Sequence, residues 1–80
     1  MRELYRNLVD KYGTNNPIKL AEIMGITIIY NYLGNTSGIH TNILGIDFIL
    51  INTNLNVHEE YYTIAHELGH CILHNGENIN

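Results

Sequence analysis

Two histidines four residues apart, with a glutamate directly after the first, are the residues of this chain best suited to chemistry. They are His66, Glu67 and His70, in the stretch HELGH. On a helix, both imidazoles can reach one ion at ~2.0–2.1 Å, the usual zinc–nitrogen distance. Glu67 then lies beside the metal, where it can take a proton from the attacking water and pass it to a leaving amine. The motif therefore predicts a hydrolytic zinc site with His66 and His70 as ligands and Glu67 as the catalytic residue. The alternative is a solvated polar helix face.

A catalytic zinc ion usually takes a third ligand from the protein, and the sequence offers only weak candidates for it. His74 is eight residues from His66, or ~12 Å along a helix, so the two cannot share an ion. Glu77 follows the predicted end of the helix and could fold back onto the metal; otherwise it is a tail residue. His40 is expected to be an exposed strand residue, or else a residue of the cleft.

The remaining candidates favour structural roles. Cys71 faces away from the histidines on a helical projection, so we expect a small buried core residue and not a ligand. His58 falls in the first turn of the same helix and is expected to be solvated. Because Cys71 is the only cysteine, no intramolecular disulfide can form.

The elements that position the motif form an α+β pattern of two N-terminal helices, a small three-stranded sheet and the HExxH helix. Asn16 and Pro17 are expected as N-cap and first residue of the second helix, which Gly25 ends. The helices are predicted over 2–12, over 17–24 and from 57 to 74 or 75; the strands are predicted over 26–33, 37–42 and 46–52. The third strand is apolar enough to be central.

The last helix begins at a capping box formed by Asn56 and Glu59 and is expected to stop at Gly76. Its sequence separates into two faces at 100° per residue. The predicted core face carries Val57, Tyr61, Ile64, Ala65, Leu68, Cys71 and Ile72. The predicted polar face carries Glu59, Thr63, His66, His70 and His74, with Glu67 at its margin.

Length and composition limit the kind of protein this can be. Eighty residues allow a single domain, 1–80, with a modest core. The chain is 45% apolar and 15% charged, with a net charge of −4, which predicts a globular protein without the basic patch that nucleic acids or anionic membranes require. We therefore expect no direct nucleic-acid binding, no membrane association and, without a signal peptide, a cytoplasmic location.

A resemblance to a known family now becomes visible. The stretch INTNLNVHEEYYTIAHELGHCILH is similar to the signature of the ImmA/IrrE metallopeptidases, in which a strand ending in Ile-Asn leads into a helix carrying A-H-E-L-G-H-x-x-L-H. Upstream, NNPIKLAEIMGITIIY resembles the N-terminal helix and first strand of the family, and SGIHTNILGIDFILIN resembles its hairpin.

The resemblance implies a gluzincin-like fold, Zn²⁺ as cofactor, His66 and His70 as zinc ligands and Glu67 as general base. In the family the third ligand is an acidic residue on a later helix, in a stretch similar to E-x-x-A-x-x-F-A. No such stretch follows HELGH within the 80 residues. We therefore expect this chain to represent the N-terminal, zinc-binding part of the family's peptidase domain.

The resemblance also implies a function. Members are typically intracellular, are often encoded on mobile elements, and act as anti-repressors that cleave a helix-turn-helix repressor. Their substrates lie extended along an edge strand, which here is expected to be Gly38, Ile39, His40 and Thr41. An open edge can also promote self-association. The alternative is a catalytically incomplete module that grips a repressor or peptide by strand addition without cutting it.

Overall fold

The computed structural model describes the backbone of residues 2–79 and the side chains of residues 3–73. Its elements are α1 (Arg2–Tyr12), α2 (Pro17–Ile23), β1 (Thr27–Asn31), β2 (Gly38–Ile43), β3 (Ile46–Asn52) and α3 (Val57–Ile79). This order confirms the α+β fold, with the HELGH stretch inside α3. No described helix is both long and apolar enough to cross a membrane.

The start of α2 is fixed by the residues that the sequence indicated. The Asn16 side-chain oxygen accepts hydrogen bonds from the backbone N–H groups of Ile18, at 2.9 Å, and Lys19, at 3.4 Å. Pro17 is the first helical residue, where its missing N–H group leaves no intrahelical bond unmade. The chain then reverses through Gly25, whose φ of 73° suits glycine, and enters β1.

The three strands form one sheet in the order β1-β3-β2. The apolar strand β3 is therefore central, as predicted. It pairs in parallel with β1 and antiparallel with β2. A two-residue turn at Leu44 and Gly45, both with positive φ, joins β2 to β3. Strand β2 is paired on one side only, which confirms that it lies at an edge of the sheet.

The core lies between one face of the sheet and the helices. Alternate residues of β3 point to this face, and Ile49 and Ile51 are fully buried there. The largest fully buried side chains are Leu20, Ile49, Ile51, Ile64, Leu68 and Cys71. Because these come from α2, β3 and α3, the helix that carries HELGH is held directly against the central strand.

The predicted faces of α3 are only partly right. Ile64, Leu68 and Cys71 are buried as expected, but Val57 is 63% exposed and Thr63, assigned to the polar face, is 8% exposed. The reason is Gly38 on β2, where a Cβ atom would lie 2.6 Å from Thr63 Cγ2. Without that Cβ, the threonine methyl packs against the strand, and the buried face of the helix is rotated towards it.

Both ends of α3 were predicted, and only the first prediction is confirmed. Asn56 N–H donates to Glu59 Oε1 and Glu59 N–H donates to Asn56 Oδ1, each at 2.9 Å, which is a complete capping box. The predicted stop at Gly76 is wrong, because α3 continues through it to Ile79. A glycine within a helix costs only about 1 kcal/mol relative to alanine, and no proline follows to end the helix.

Candidate metal centre and adjoining cleft

The two motif histidines meet on the exposed side of α3. One helical turn separates them, and their Nε2 atoms lie 3.0 Å apart. The rings meet edge to face, with centroids 4.6 Å apart and an angle of 81° between their planes. Both residues are exposed, whereas the opposite side of the helix is buried in the core. The helix thus presents two imidazole nitrogens together at the protein surface.

This pair of nitrogens fits a zinc ion. Two ligands at ~2.0–2.1 Å from a tetrahedral zinc lie roughly 3.4 Å apart, close to the 3.0 Å between the Nε2 atoms of His66 and His70. Among the described side chains, no third histidine, cysteine, aspartate or glutamate forms a compact group with these two. The low-ranked candidate Glu77, like His74, has a side chain outside the described residues.

Glu67 borders a cleft that runs from His66 to the edge of the sheet. The cleft has a volume of about 660 Å³ and is lined by Ser37, Gly38, His58, Glu59, Tyr62, Thr63, His66 and Glu67. Glu67 is half-buried at its wall. The cleft therefore places a carboxylate, one candidate metal ligand and the start of an edge strand around the same space. His58, expected to be solvated, is exposed and also lines it.

One aromatic neighbour supports the orientation of His66. The ring of Tyr62, one turn earlier on α3, is stacked on His66 with centroids 6.3 Å apart and 17° between the planes. Tyr62 is itself 74% exposed. It therefore shields one side of the imidazole while leaving the edge that carries Nε2 directed at His70.

Asn52, at the end of β3, organises the cleft and was not singled out by the sequence. It is 3% exposed, and its side-chain amide donates to the carbonyls of Gly34 and Thr36, both at 2.8 Å. Its backbone N–H donates to Ser37 O at 2.9 Å. These bonds fix the loop that leads into β2. A polar residue ending an apolar strand was the available signal.

The expected exposure of His40 is wrong. In the antiparallel register His40 lies opposite the buried Ile49, so its side chain points to the helix-covered face of the sheet. There its Nε2 lies 3.1 Å from Asp47 Oδ1, and the two side chains are only 12% and 13% exposed. The alternation of the strand indicates the opposite face, because its apolar residues Ile39 and Ile43 lie on the side that the helices leave exposed.

Cys71 is fully buried, as predicted. Burial raises the pKa of its thiol to about 12, and the negative charges of Asp47 and Glu67 act in the same direction. The thiol is thus protonated at neutral pH in the metal-free protein, and it lies on the sheet side of α3, away from the paired histidines.

The chain is similar to known proteins along most of its length. The peptidase family of IrrE N-terminal-like domains matches residues 21–80. Metallopeptidase ImmA of Bacillus subtilis (strain 168) is 36% identical over 69 residues, which are 86% of this chain and 41% of the relative. The uncharacterized immunity region protein 2 of Bacillus phage phi105 is 37% identical over 70 residues, 86% of this chain and 44% of the relative. The chain thus spans less than half the length of these relatives. No solved structure matches it significantly.

Proposed function

Since the chain belongs to the metallopeptidase family of IrrE N-terminal-like domains, we propose that it carries the zinc-binding and proton-transferring residues of a zinc-dependent endopeptidase. The observation that carries the proposal is the pair of Nε2 atoms 3.0 Å apart on His66 and His70, with Glu67 at the wall of the adjoining cleft.

Each residue has a distinct role in this proposal. His66 and His70 would hold zinc, which when bound supplies a Lewis acid that polarises the scissile carbonyl and lowers the pKa of water. Glu67 accepts the proton of the attacking water and then donates it to the departing amine, so that one carboxylate serves as base and then as acid. Its half-buried position keeps the carboxylate beside the cleft, where a peptide would lie.

The substrate is proposed to be an extended segment of a protein. Strand β2 ends the sheet, and its first residue, Gly38, lines the same cleft as His66 and Glu67. A peptide that added to this edge would lie along Gly38, Ile39, His40 and Thr41 and form main-chain hydrogen bonds with Gly38 and His40. It would then enter the cleft with a peptide bond close to the catalytic carboxylate.

The proposed natural substrate is a helix-turn-helix repressor, whose cleavage would give the protein an anti-repressor role on a mobile element. The similarity to Metallopeptidase ImmA and to an immunity region protein of a phage supports this choice. The net charge of −4 favours contact with a protein over direct contact with DNA.

A zinc titration tests the metal-binding part of the proposal. We expect His66→Ala to bind one zinc ion fewer per chain than the wild type, because a single imidazole remains at the motif. His58→Ala is the matched control, since it removes an exposed histidine of the same helix. Equal numbers of zinc ions bound by the wild type and His66→Ala would contradict the assignment of the ligands.

The second candidate function is a binding module that grips a repressor or peptide without cutting it. Two observations favour it: the open edge of β2, and the presence of only two converging ligands at the motif among the described side chains. The same titration distinguishes the candidates. Peptide binding by a chain whose zinc stoichiometry is unchanged in His66→Ala would support the module over the enzyme.

A further inference from the structure

A second group of potential metal ligands lies on the other side of α3. His40 from β2, Asp47 from β3 and Cys71 from α3 each offer one ligand atom, and all three atoms lie within 4.8 Å of one another. The imidazole and the carboxylate are already in contact, with Nε2 and Oδ1 3.1 Å apart. The two strands of a hairpin and a helix thus direct a nitrogen, an oxygen and a sulfur towards one point.

We propose that His40, Asp47 and Cys71 form a structural site for a divalent transition metal such as zinc, separate from the HELGH motif. This inference does not rest on the proposed peptidase activity. The site would join the β2–β3 hairpin to the helix that carries the motif.

The chemistry of the three donors fits such an ion. Imidazole nitrogen, carboxylate oxygen and thiolate sulfur are the protein ligands of zinc, at ~2.0–2.1, ~2.0–2.2 and ~2.3 Å respectively. These bond lengths place the ligand atoms roughly 3.2–3.6 Å apart around a tetrahedral ion. The group therefore needs to contract by little more than 1 Å at its widest separation, a movement within the reach of side-chain rotation.

The burial of the group favours a ligand site over a surface contact. Cys71 is fully buried, and the side chains of His40 and Asp47 are nearly nine-tenths buried. Charged groups in such places are usually paired or bound to metals. Here Asp47 Oδ1 contacts His40 Nε2 at 3.1 Å and accepts a hydrogen bond from Asn42 Nδ2 at 2.9 Å, so a bound metal would compete with these partners. When the metal binds, the Cys71 thiol releases its proton to solvent and the sulfur forms the metal bond, while water occupies the fourth position.

Metal binding here would stabilise the folded chain. A domain of 80 residues has a small core, and an ion that binds only the folded state adds stability in proportion to the logarithm of its concentration over its dissociation constant. Because Cys71 directly follows His70, the same ion would also fix the turn of α3 that holds one of the motif histidines.

Cobalt spectroscopy tests the proposal. In the His66→Ala/His70→Ala variant, which lacks the motif ligands, we expect Co²⁺ to produce a sulfur-to-cobalt charge-transfer band in the near ultraviolet. The chain has one cysteine, so this band can arise only from Cys71. It should be lost in Cys71→Ala, and its intensity per cobalt should not change with protein concentration, which excludes bridging between two chains.

Near-isosteric variants keep the test decisive if Cys71→Ala unfolds. Asp47→Asn and His40→Gln should each raise the dissociation constant for Co²⁺ more than ~10-fold, whereas His58→Ala should leave it unchanged. A folded His66→Ala/His70→Ala protein without the band at saturating Co²⁺ would overturn the proposal. So would a band that is equally strong in Asp47→Asn and His40→Gln.

Discussion

At the scale of single residues, Glu67 and the two proposed ligands, His66 and His70, point in different directions from the same helix. The histidines project from the exposed side of α3, while Glu67, one residue after His66, turns to the cleft and is half-buried. This division follows from helical geometry, since adjacent residues point 100° apart. In the proposed site, this geometry would keep the Glu67 carboxylate off the metal held by His66 and beside the substrate.

The first prediction separates zinc binding by the histidines from proton transfer by Glu67. In any form of the protein that cleaves a substrate, Glu67→Gln should retain zinc affinity and lose proteolytic rate by at least ~10²-fold, because the amide cannot accept the proton of water. Zinc affinity by competition with a chelating dye and cleavage by mass spectrometry measure the two properties. The exposed Glu22→Gln is the control. Undiminished cleavage by Glu67→Gln would remove this residue from the mechanism.

Asn52 shows how one buried amide can hold a loop. Asn52→Ala would leave the carbonyls of Gly34 and Thr36 without their 2.8 Å donors. We expect the free energy of unfolding to fall by about 1–3 kcal/mol, because two hydrogen bonds that contribute about 0.5–1.5 kcal/mol each are lost. Urea denaturation measures it, with the exposed Asn54→Ala as control. Equal stability of the two variants would show that the loop does not depend on these bonds.

At the scale of elements, the sequence predicted those helices and strands that are determined by interactions within a few residues. The capping residues Asn16 and Asn56, the apolar run of β3 and the glycine turns all act within a few residues, and the structure confirms the elements that they delimit. The edge position of β2 was also predicted, because it is the least apolar strand.

Contacts between helices and strands could not be predicted from the sequence. The inward direction of His40 depends on the register of β2 against β3. The burial of Thr63 depends on the missing Cβ of Gly38, 25 positions away in the strand that it meets. A threonine is counted as a polar residue on a helical projection, although its methyl group can pack like that of valine. The predicted roles of His66, Glu67 and His70 remain predictions, since geometry alone assigns no chemistry.

The contact between β2 and α3 gives the third prediction. Gly38→Ala would place a Cβ atom 2.6 Å from Thr63 Cγ2 and 3.2 Å from Leu50 O. We expect a loss of about 1–3 kcal/mol in stability, which is typical of overpacking. Thr63→Ser removes the Cγ2 atom, so the double variant should recover much of that loss relative to the sum of the single variants. Additive single effects, measured by urea denaturation, would show that the two residues do not compete for space.

At the scale of the whole molecule, the described residues cover the sheet on one side only. The face opposite the helices carries Phe48 and Leu50, both half-buried, together with isoleucines that are 40–55% exposed; these are Ile29, Ile39, Ile43 and Ile46. An apolar surface of this kind next to an open strand edge favours association between molecules.

The open edge has a defined pattern of free amides. Asn52 N–H bonds Ser37 O, and in an antiparallel pair such bonded residues alternate with residues whose N–H groups point outwards. With the observed register, the N–H groups of Gly38, His40 and Asn42 therefore face away from β3. A second strand, from a substrate or another copy of the chain, would pair with these groups.

The last prediction uses Asn42 to test this edge. Its side chain bonds Asp47 and the Gly45 N–H, so both Asn42→Ala and Asn42→Pro lose those contacts, but only proline also removes the outward N–H group. We expect the wild type to associate with rising concentration in sedimentation velocity experiments, and Asn42→Pro to associate less than Asn42→Ala, since proline is tolerated at a sheet edge while blocking strand addition. If the two variants associate equally while Ile46→Lys does not, the apolar face and not the strand edge joins the molecules. A wild type that stays monomeric at every concentration would contradict self-association by either route.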